Sequence, residues 1–200
     1  MLHRESFGQN KITLVDRFGV FLSLLAINKF LPRAESIKIL ELGCGYNATL
    51  LQRLQKRITH GIGVDFQINP NLYAIPKLTF MESSIEEAIE ELSAVSLDAI
   101  MIISVLEHLS DPKHVLQQCY QLLHKNGVLL INVPTWRGKA FLEFSAFKLG
   151  TSPKLEMDDH KMYYDKKDLW PLLIQAGFKP SKVNLRYHKF GLNLFAVAQK

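Results

Sequence analysis

The chain has 200 residues, enough for one domain with a single core, and 48% apolar and 22% charged residues, the balance of a soluble globular protein. Its net charge is +5 with lysines and arginines scattered, which permits an acidic or nucleic-acid partner without demanding one. Two cysteines, Cys44 and Cys119, fit neither a metal-site spacing nor a disulfide framework, and the longest apolar stretch, 18–31, is broken by Asn28 and Lys29; no secretory leader or membrane span is expected, and a reducing cytoplasm is the simpler setting.

Residues 1–11 are polar and read as a loose start. Over 12–31 apolar residues recur at helical spacing (Leu14, Val15, Phe18, Phe21, Leu22, Leu25, Phe30), predicting an amphipathic helix laid on the sheet edge or over a ligand cleft. Ile37, Ile39, Leu40 and Leu42 then form a short apolar run, as in a strand buried on both faces of a parallel sheet. The run stops at Gly43-Cys44-Gly45, and a helical pattern starts at Leu50, Leu51 and Leu54. Strand, glycine turn and helix make a ligand cradle: Gly43 allows the turn, Gly45 lets a ligand lie against the main chain, and Ala48 fits close strand–helix packing. Glu41 sits two residues before the first glycine, and Asp65 closes the next strand, 58–64, twenty positions after Gly45. A carboxylate at the Asp65 position suits the two hydroxyls of a ribose. Glu41 would repel a pyrophosphate but suits a cationic amine or sulfonium, which disfavours a dinucleotide.

Asn69-Pro70-Asn71 is turn chemistry within a loop or short helix, and 78–82 is a third strand. Ser83 and Ser84 stand where a helix cap belongs, ahead of Glu86 and Glu87. A fourth buried strand covers 97–104, followed by V-L-E-H-L-S-D-P at 105–112. Asp111 and Pro112 open a helix whose apolar face is Val115, Leu116, Cys119, Leu122 and Leu123; Gly127 is its expected left-handed stop. The fifth strand is 128–133. Aromatics mixed with Gly138, Gly150 and Pro153 mark 135–162 as an insertion over the cleft mouth. Asp165 caps a last helix over 166–176, ended by Gly177, and 182–187 and 192–198 form a β-hairpin around Gly191.

E-x-G-x-G at 41–45 with Asp65 downstream resembles the first two motifs of class I S-adenosylmethionine-dependent methyltransferases. The 105–112 text resembles the segment after strand 4 in many small members, and the ending, "AGF" followed by two strands, resembles theirs. The resemblance implies an α/β, Rossmann-like sheet of seven mostly parallel strands with helices on both faces and an antiparallel last strand. It implies one domain: a helical cap (1–35), a cofactor-binding core (36–134), a substrate cover (135–162), and a terminal helix and hairpin (163–200). Glu41, Gly43, Cys44 and Gly45 would line the methionine end of S-adenosylmethionine, Asp65 would hold the ribose, and Phe66 would lie beside the adenine. Ser84 and Ile85 would edge the base, Ser84 standing where the family commonly has an acidic residue. Ser104 and His108 would face the reacting end.

Methyl transfer needs an aligned nucleophile and, for a hydroxyl, a proton acceptor; a histidine is the common helper. His108 and His160 are the candidates. Glu107, His108 and His160 also resemble three metal ligands of the ubiquinone-pathway O-methyltransferases and the small-RNA 2′-O-methyltransferases. The latter add a glutamate where this chain has Ser104, so the full set is absent and a metal-free site is preferred. The expected activity is O-methylation of a compact, partly apolar small molecule. RNA 2′-O-methylation and a non-catalytic binding domain are the alternatives; the acceptor's identity and the oligomeric state have no motif.

Overall fold

The computed structural model describes residues 6–9, 13–34, 36–93, 95–144 and 161–200. Helix α1 (Leu14–Phe30) opens on a capping box in which Thr13 and Asp16 satisfy each other's backbone N–H. There follow β1 (Lys38–Leu42), α2 (Thr49–Leu54), β2 (His60–Asp65), β3 (Leu78–Glu82), α3 (Ile85–Glu91), β4 (Leu97–Ile103), α4 (Pro112–Leu122), β5 (Leu123–Pro134), α5 (Trp136–Phe144), α6 (Lys166–Ala176), β6 (Val183–His188) and β7 (Asn193–Gln199).

The strands form one seven-stranded sheet in the order β3-β2-β1-β4-β5-β7-β6. β1 to β5 run parallel; β7 enters antiparallel between β5 and β6. Apolar residues on consecutive positions bury both faces. Leu40, Leu42, Ile100 and Ile102 join the core under α3, α4 and α6, while Ile39, Ala99 and Met101 join the core under α1 and α2. The expected Rossmann-like sheet is therefore present, with its reversed strand inserted from the terminal hairpin.

Two local expectations are corrected. The left-handed residue after α4 is Asn126, at φ +74, rather than Gly127. β5 begins at once at Leu123, which pairs with Leu97, and the ladder resumes at Ala99 with Val128; 124–127 are a bulge that a helical stop signal imitates. The buried side of α1 also differs from the expected stripe. Ser23, Ile27 and the following Leu31 are buried, while Val15, Phe18, Phe21 and Leu25 are 44–77% exposed. A helix apolar nearly all round gives periodicity little to choose between. Among the described residues, no helix is long and apolar enough to cross a membrane.

Candidate functional site

Between β1 and β4 the strand order reverses, and the crevice outside the carboxyl ends of such strands is where open α/β sheets take ligands. Glu41 arrives there from β1, only 2% exposed. Its carboxylate accepts the N–H of Leu51 in the first turn of α2. Its other oxygen, Oε2, has no partner among the described residues. Burial pushes the Glu41 carboxyl well above its usual range; the Leu51 bond opposes this and the nearby Asp65 charge adds to it.

The glycine turn follows. Gly43 has φ +72, and a Cβ there would stand 2.3 Å from Val105 Cγ2, so the β1 turn and the segment after β4 touch. Gly45 has φ +73 and faces Phe7 O, which would lie 2.8 Å from an added Cβ. Cys44 between them is buried, and burial first, then Glu41 and Asp65, push its thiol up, so it packs rather than reacts. Ala48, the third small position, is buried and caps α2 in a left-handed conformation.

Asp65 ends β2 with its carboxylate turned back onto the turn. Oδ2 accepts Gly45 N–H at 2.7 Å; Oδ1 accepts Phe66 N–H at 2.8 Å and the Ser6 hydroxyl at 2.5 Å. The loose start expected for 1–11 is corrected here for residues 6–9. Ser6 is 7% exposed and its Oγ accepts Gln67 N–H at 3.1 Å. Phe7 O accepts Tyr46 N–H at 2.9 Å, and Gly8 O accepts from Asn47 Nδ2 at 2.9 Å. A strap thus lies over Gly45 and holds one oxygen of Asp65. No sequence signal marked it, because its bonds run through one serine hydroxyl and two backbone carbonyls.

Phe66 is 49% exposed beside this carboxylate. Ser84 caps α3: its hydroxyl accepts Glu87 N–H and donates to Glu87 Oε2 at 2.8 Å. Ile85 is buried in the core under α3.

Beyond β4, Ser104 has φ +57; its N–H donates to Asn132 O at 2.7 Å and its Oγ accepts from Asn132 Nδ2 at 3.4 Å. His108 is half-buried at the end of a 3-10 turn, Leu106–His108, with its N–H on Val105 O. Since β1 pairs with β4, these residues and the Glu41–Asp65 group share one edge. His160 lies outside the described residues, as does much of the expected cover at 135–162. Among the described residues, no three His, Cys, Asp or Glu side chains converge as metal ligands.

The sequence reading gave Glu107 only a ligand's part and gave Lys189 none. Glu107 is 1% exposed; its Oε2 has no partner among the described residues, and burial pushes its carboxyl up to about 8 against the pull of Lys189. Lys189, between β6 and β7, is pulled down to about 8 by desolvation, opposed by Glu107 and Asp16. Residues 161–164 cross this edge: Lys161 N–H donates to Glu107 O at 2.8 Å and Tyr164 N–H to Pro134 O at 3.0 Å. Tyr163 packs on Trp136 with ring centroids 5.6 Å apart. No pattern announced Lys189, since a lysine in a hairpin turn ordinarily faces water.

Residues 19–183 match the methyltransferase domain family. Among curated proteins, the chain is 28% identical over 128 residues to a ubiquinone biosynthesis O-methyltransferase of Vibrio campbellii, covering 59% of this chain and 54% of that protein. It is 26% identical over 152 residues to a probable S-adenosylmethionine-dependent methyltransferase of Mycobacterium tuberculosis, covering 74% and 50%. The chain thus spans about half the length of the curated relatives it matches. An S-adenosylmethionine-dependent methyltransferase from Archaeoglobus fulgidus shares the fold at TM-score 0.67 and 16% identity, over 94% of this chain and all of that one.

Proposed function

The chain belongs to the methyltransferase domain family, with S-adenosylmethionine as cofactor, and from that premise we propose that it methylates an oxygen of a small-molecule acceptor. The observation that carries the cofactor assignment is the unpartnered Glu41 Oε2, buried behind the glycine turn. An orphaned, buried carboxylate oxygen costs about 1–3 kcal/mol. A ligand bringing a positive charge and N–H donors to the turn removes that cost, and the methionine end of S-adenosylmethionine has both. Asp65 fits a ribose diol, once its Oδ1 is released by Ser6.

In this reading Glu41, Gly43, Cys44 and Gly45 hold the methionine end, Asp65 the ribose, Phe66 the adenine face, and Ser84 and Ile85 the base edge. Bound S-adenosylmethionine supplies a methyl group on a sulfonium, already activated for displacement. The protein's own work is alignment and exclusion of water. Ser104, fixed by Asn132, and His108 face the reacting end, and a ring nitrogen of His108 takes the hydroxyl proton of the acceptor. His160 is the second proton acceptor. Oxygen as the target is supported by the Vibrio relative named as an O-methyltransferase.

The test is calorimetric titration of S-adenosylmethionine and S-adenosylhomocysteine into the wild type and Glu41→Gln. Binding on the order of micromolar is expected for the wild type, with Glu41→Gln weakened at least fivefold. A folded wild type that binds neither ligand refutes the reading.

A further inference from the structure

The edge strand β6 has β7 on one side and, among the described residues, no strand on the other. Outside the β6–β7 pair, no backbone group of residues 184–187 bonds to a described residue. Successive residues of a strand turn their N–H and C=O to opposite sides. Every second residue here therefore offers both groups to an incoming strand.

Beside that edge, α6 and β6 leave an open groove of ≈ 340 Å³, lined by Lys166, Lys167, Trp170, Pro171, Val183 and Leu185. Its apolar part is Pro171, Trp170, which is 41% exposed, and Val183 and Leu185, which also pack on the core under α6. Lys166 Nζ stands 5.1 Å from the centroid of the Tyr187 ring, so a cation lies two residues beyond Leu185 on the same face of the strand. No carboxylate lines the groove. The nearest in sequence cap α6, Asp168 accepting the Asp165 N–H at 2.8 Å. Lys182 and Arg186, on the edge itself, donate to neutral oxygens, Gln199 Oε1 and Asn184 Oδ1, both at 3.0 Å. Residues 161–200 hold eight lysines and arginines against Asp165 and Asp168, so the chain's net charge of +5 comes from this end.

We propose that β6 and α6 form a docking groove for an extended, acidic peptide segment of a partner protein. The segment adds to the sheet as a further strand, its main chain paired with β6 at about 4.8 Å. An apolar side chain facing α6 enters between Trp170 and Leu185. The next side chain on that face is a carboxylate, held by Lys166 and Lys167. Charge on an exposed edge repels like-charged strands and leaves a strand of opposite charge free to pair. A nucleic acid would use the same cations but would leave the strand edge unpaired, which favours the peptide. The groove lies three strands from β4, so docking and the cofactor crevice are separate.

The experiment measures fluorescence anisotropy of labelled peptides EVFVETE and KVFVKTK at physiological ionic strength. The acidic peptide binds roughly tenfold tighter than the basic one. EVFVETE is also made with N-methyl groups on its odd or on its even residues. Only one of the two sets faces β6, so one abolishes binding and the other leaves it within about threefold. Lys166→Glu with Lys167→Glu inverts the peptide preference; acidic residues suit a first helical turn, so this variant folds. Trp170→Ala weakens EVFVETE binding about fivefold. Thermal melts and S-adenosylhomocysteine titration check the fold and the cofactor site of each variant. Equal binding of the two peptides, no binding by folded wild type, any other response to the two methylation patterns, a preference unchanged in the double variant, or an RNA octamer that binds tighter than EVFVETE overturns the proposal.

Discussion

The strap over residues 6–9 leads to a prediction whose sign is informative. Asp65 accepts three hydrogen bonds: Gly45 N–H at 2.7 Å, Phe66 N–H at 2.8 Å, and the Ser6 hydroxyl. Two belong to the turn itself. The third belongs to the strap and occupies the oxygen a ribose diol would use. On the ribose assignment proposed above, cofactor binding breaks the Ser6 bond. A hydrogen bond to a charged group is worth about 1.5–3 kcal/mol, but water replaces part of it when Ser6 becomes alanine. We expect Ser6→Ala to make displacement easier by about 1 kcal/mol, so S-adenosylhomocysteine binds roughly fivefold tighter by calorimetry. The same loss should lower the melting temperature of the free protein by about 2–4 °C and leave that of the cofactor-loaded protein nearly unchanged. Weaker binding of S-adenosylhomocysteine by Ser6→Ala would refute the competition and make Ser6 a ligand of the loaded site.

Three further outcomes are expected. Asp65→Ala removes the acceptor of two backbone N–H groups and, on the proposed reading, the ribose contact; it should lose about 1–3 kcal/mol in urea melts and all measurable binding of S-adenosylmethionine, and retained affinity would exclude Asp65 as the ribose residue. Gly45→Ala forces a side chain to φ +73 with its Cβ 2.8 Å from Phe7 O; about 1–2 kcal/mol of stability should go to the left-handed strain, with weaker cofactor binding, and a wild-type melt would contradict the turn geometry. Glu107 is raised by burial to about 8, so between the usual carboxylate range and pH 8 the folded state holds a proton that the unfolded state has lost. Stability therefore falls as pH rises through that window, while Lys189, lowered to about 8, is charged in both states until pH passes it. Glu107→Gln should flatten the fall in melting temperature from pH 5 to 8, and a steeper fall in the variant would reverse the sign of the argument.

What could be read in advance follows the reach of each signal along the chain. β1 to β5 are consecutive apolar runs cut by turn residues, so the strands, the glycine turn and the places of Glu41 and Asp65 beside it were legible together. A capping pattern is local too, which is why Ser84, Asp111 and Asp165 fell where expected. The α1 face was not legible, because its selection depends on what lies beneath. Ser23 and Ile27 are buried while Phe18 and Phe21, 51% and 44% exposed, stack on each other.

The two features that local pattern could not show both depend on residues far apart in sequence. Ser6 reaches Asp65 across 59 positions, and Lys189 reaches towards Glu107 from the last hairpin. Neither residue type is distinctive where it stands: a serine in a polar leader and a lysine in a turn are the commonest surface residues there. Ser6 becomes unusual only after the fold has buried it on the glycine turn, and Lys189 only after the bonds of Thr135 to Gly191 and Leu192 have fixed its turn. The division has a physical basis. Shaping a cradle for a cofactor takes short-range backbone geometry, glycines and caps that leave a mark in a few adjacent letters. Latching that turn takes a single side chain delivered from an element remote in sequence, as Ser6 is, and one such residue leaves no pattern among its neighbours.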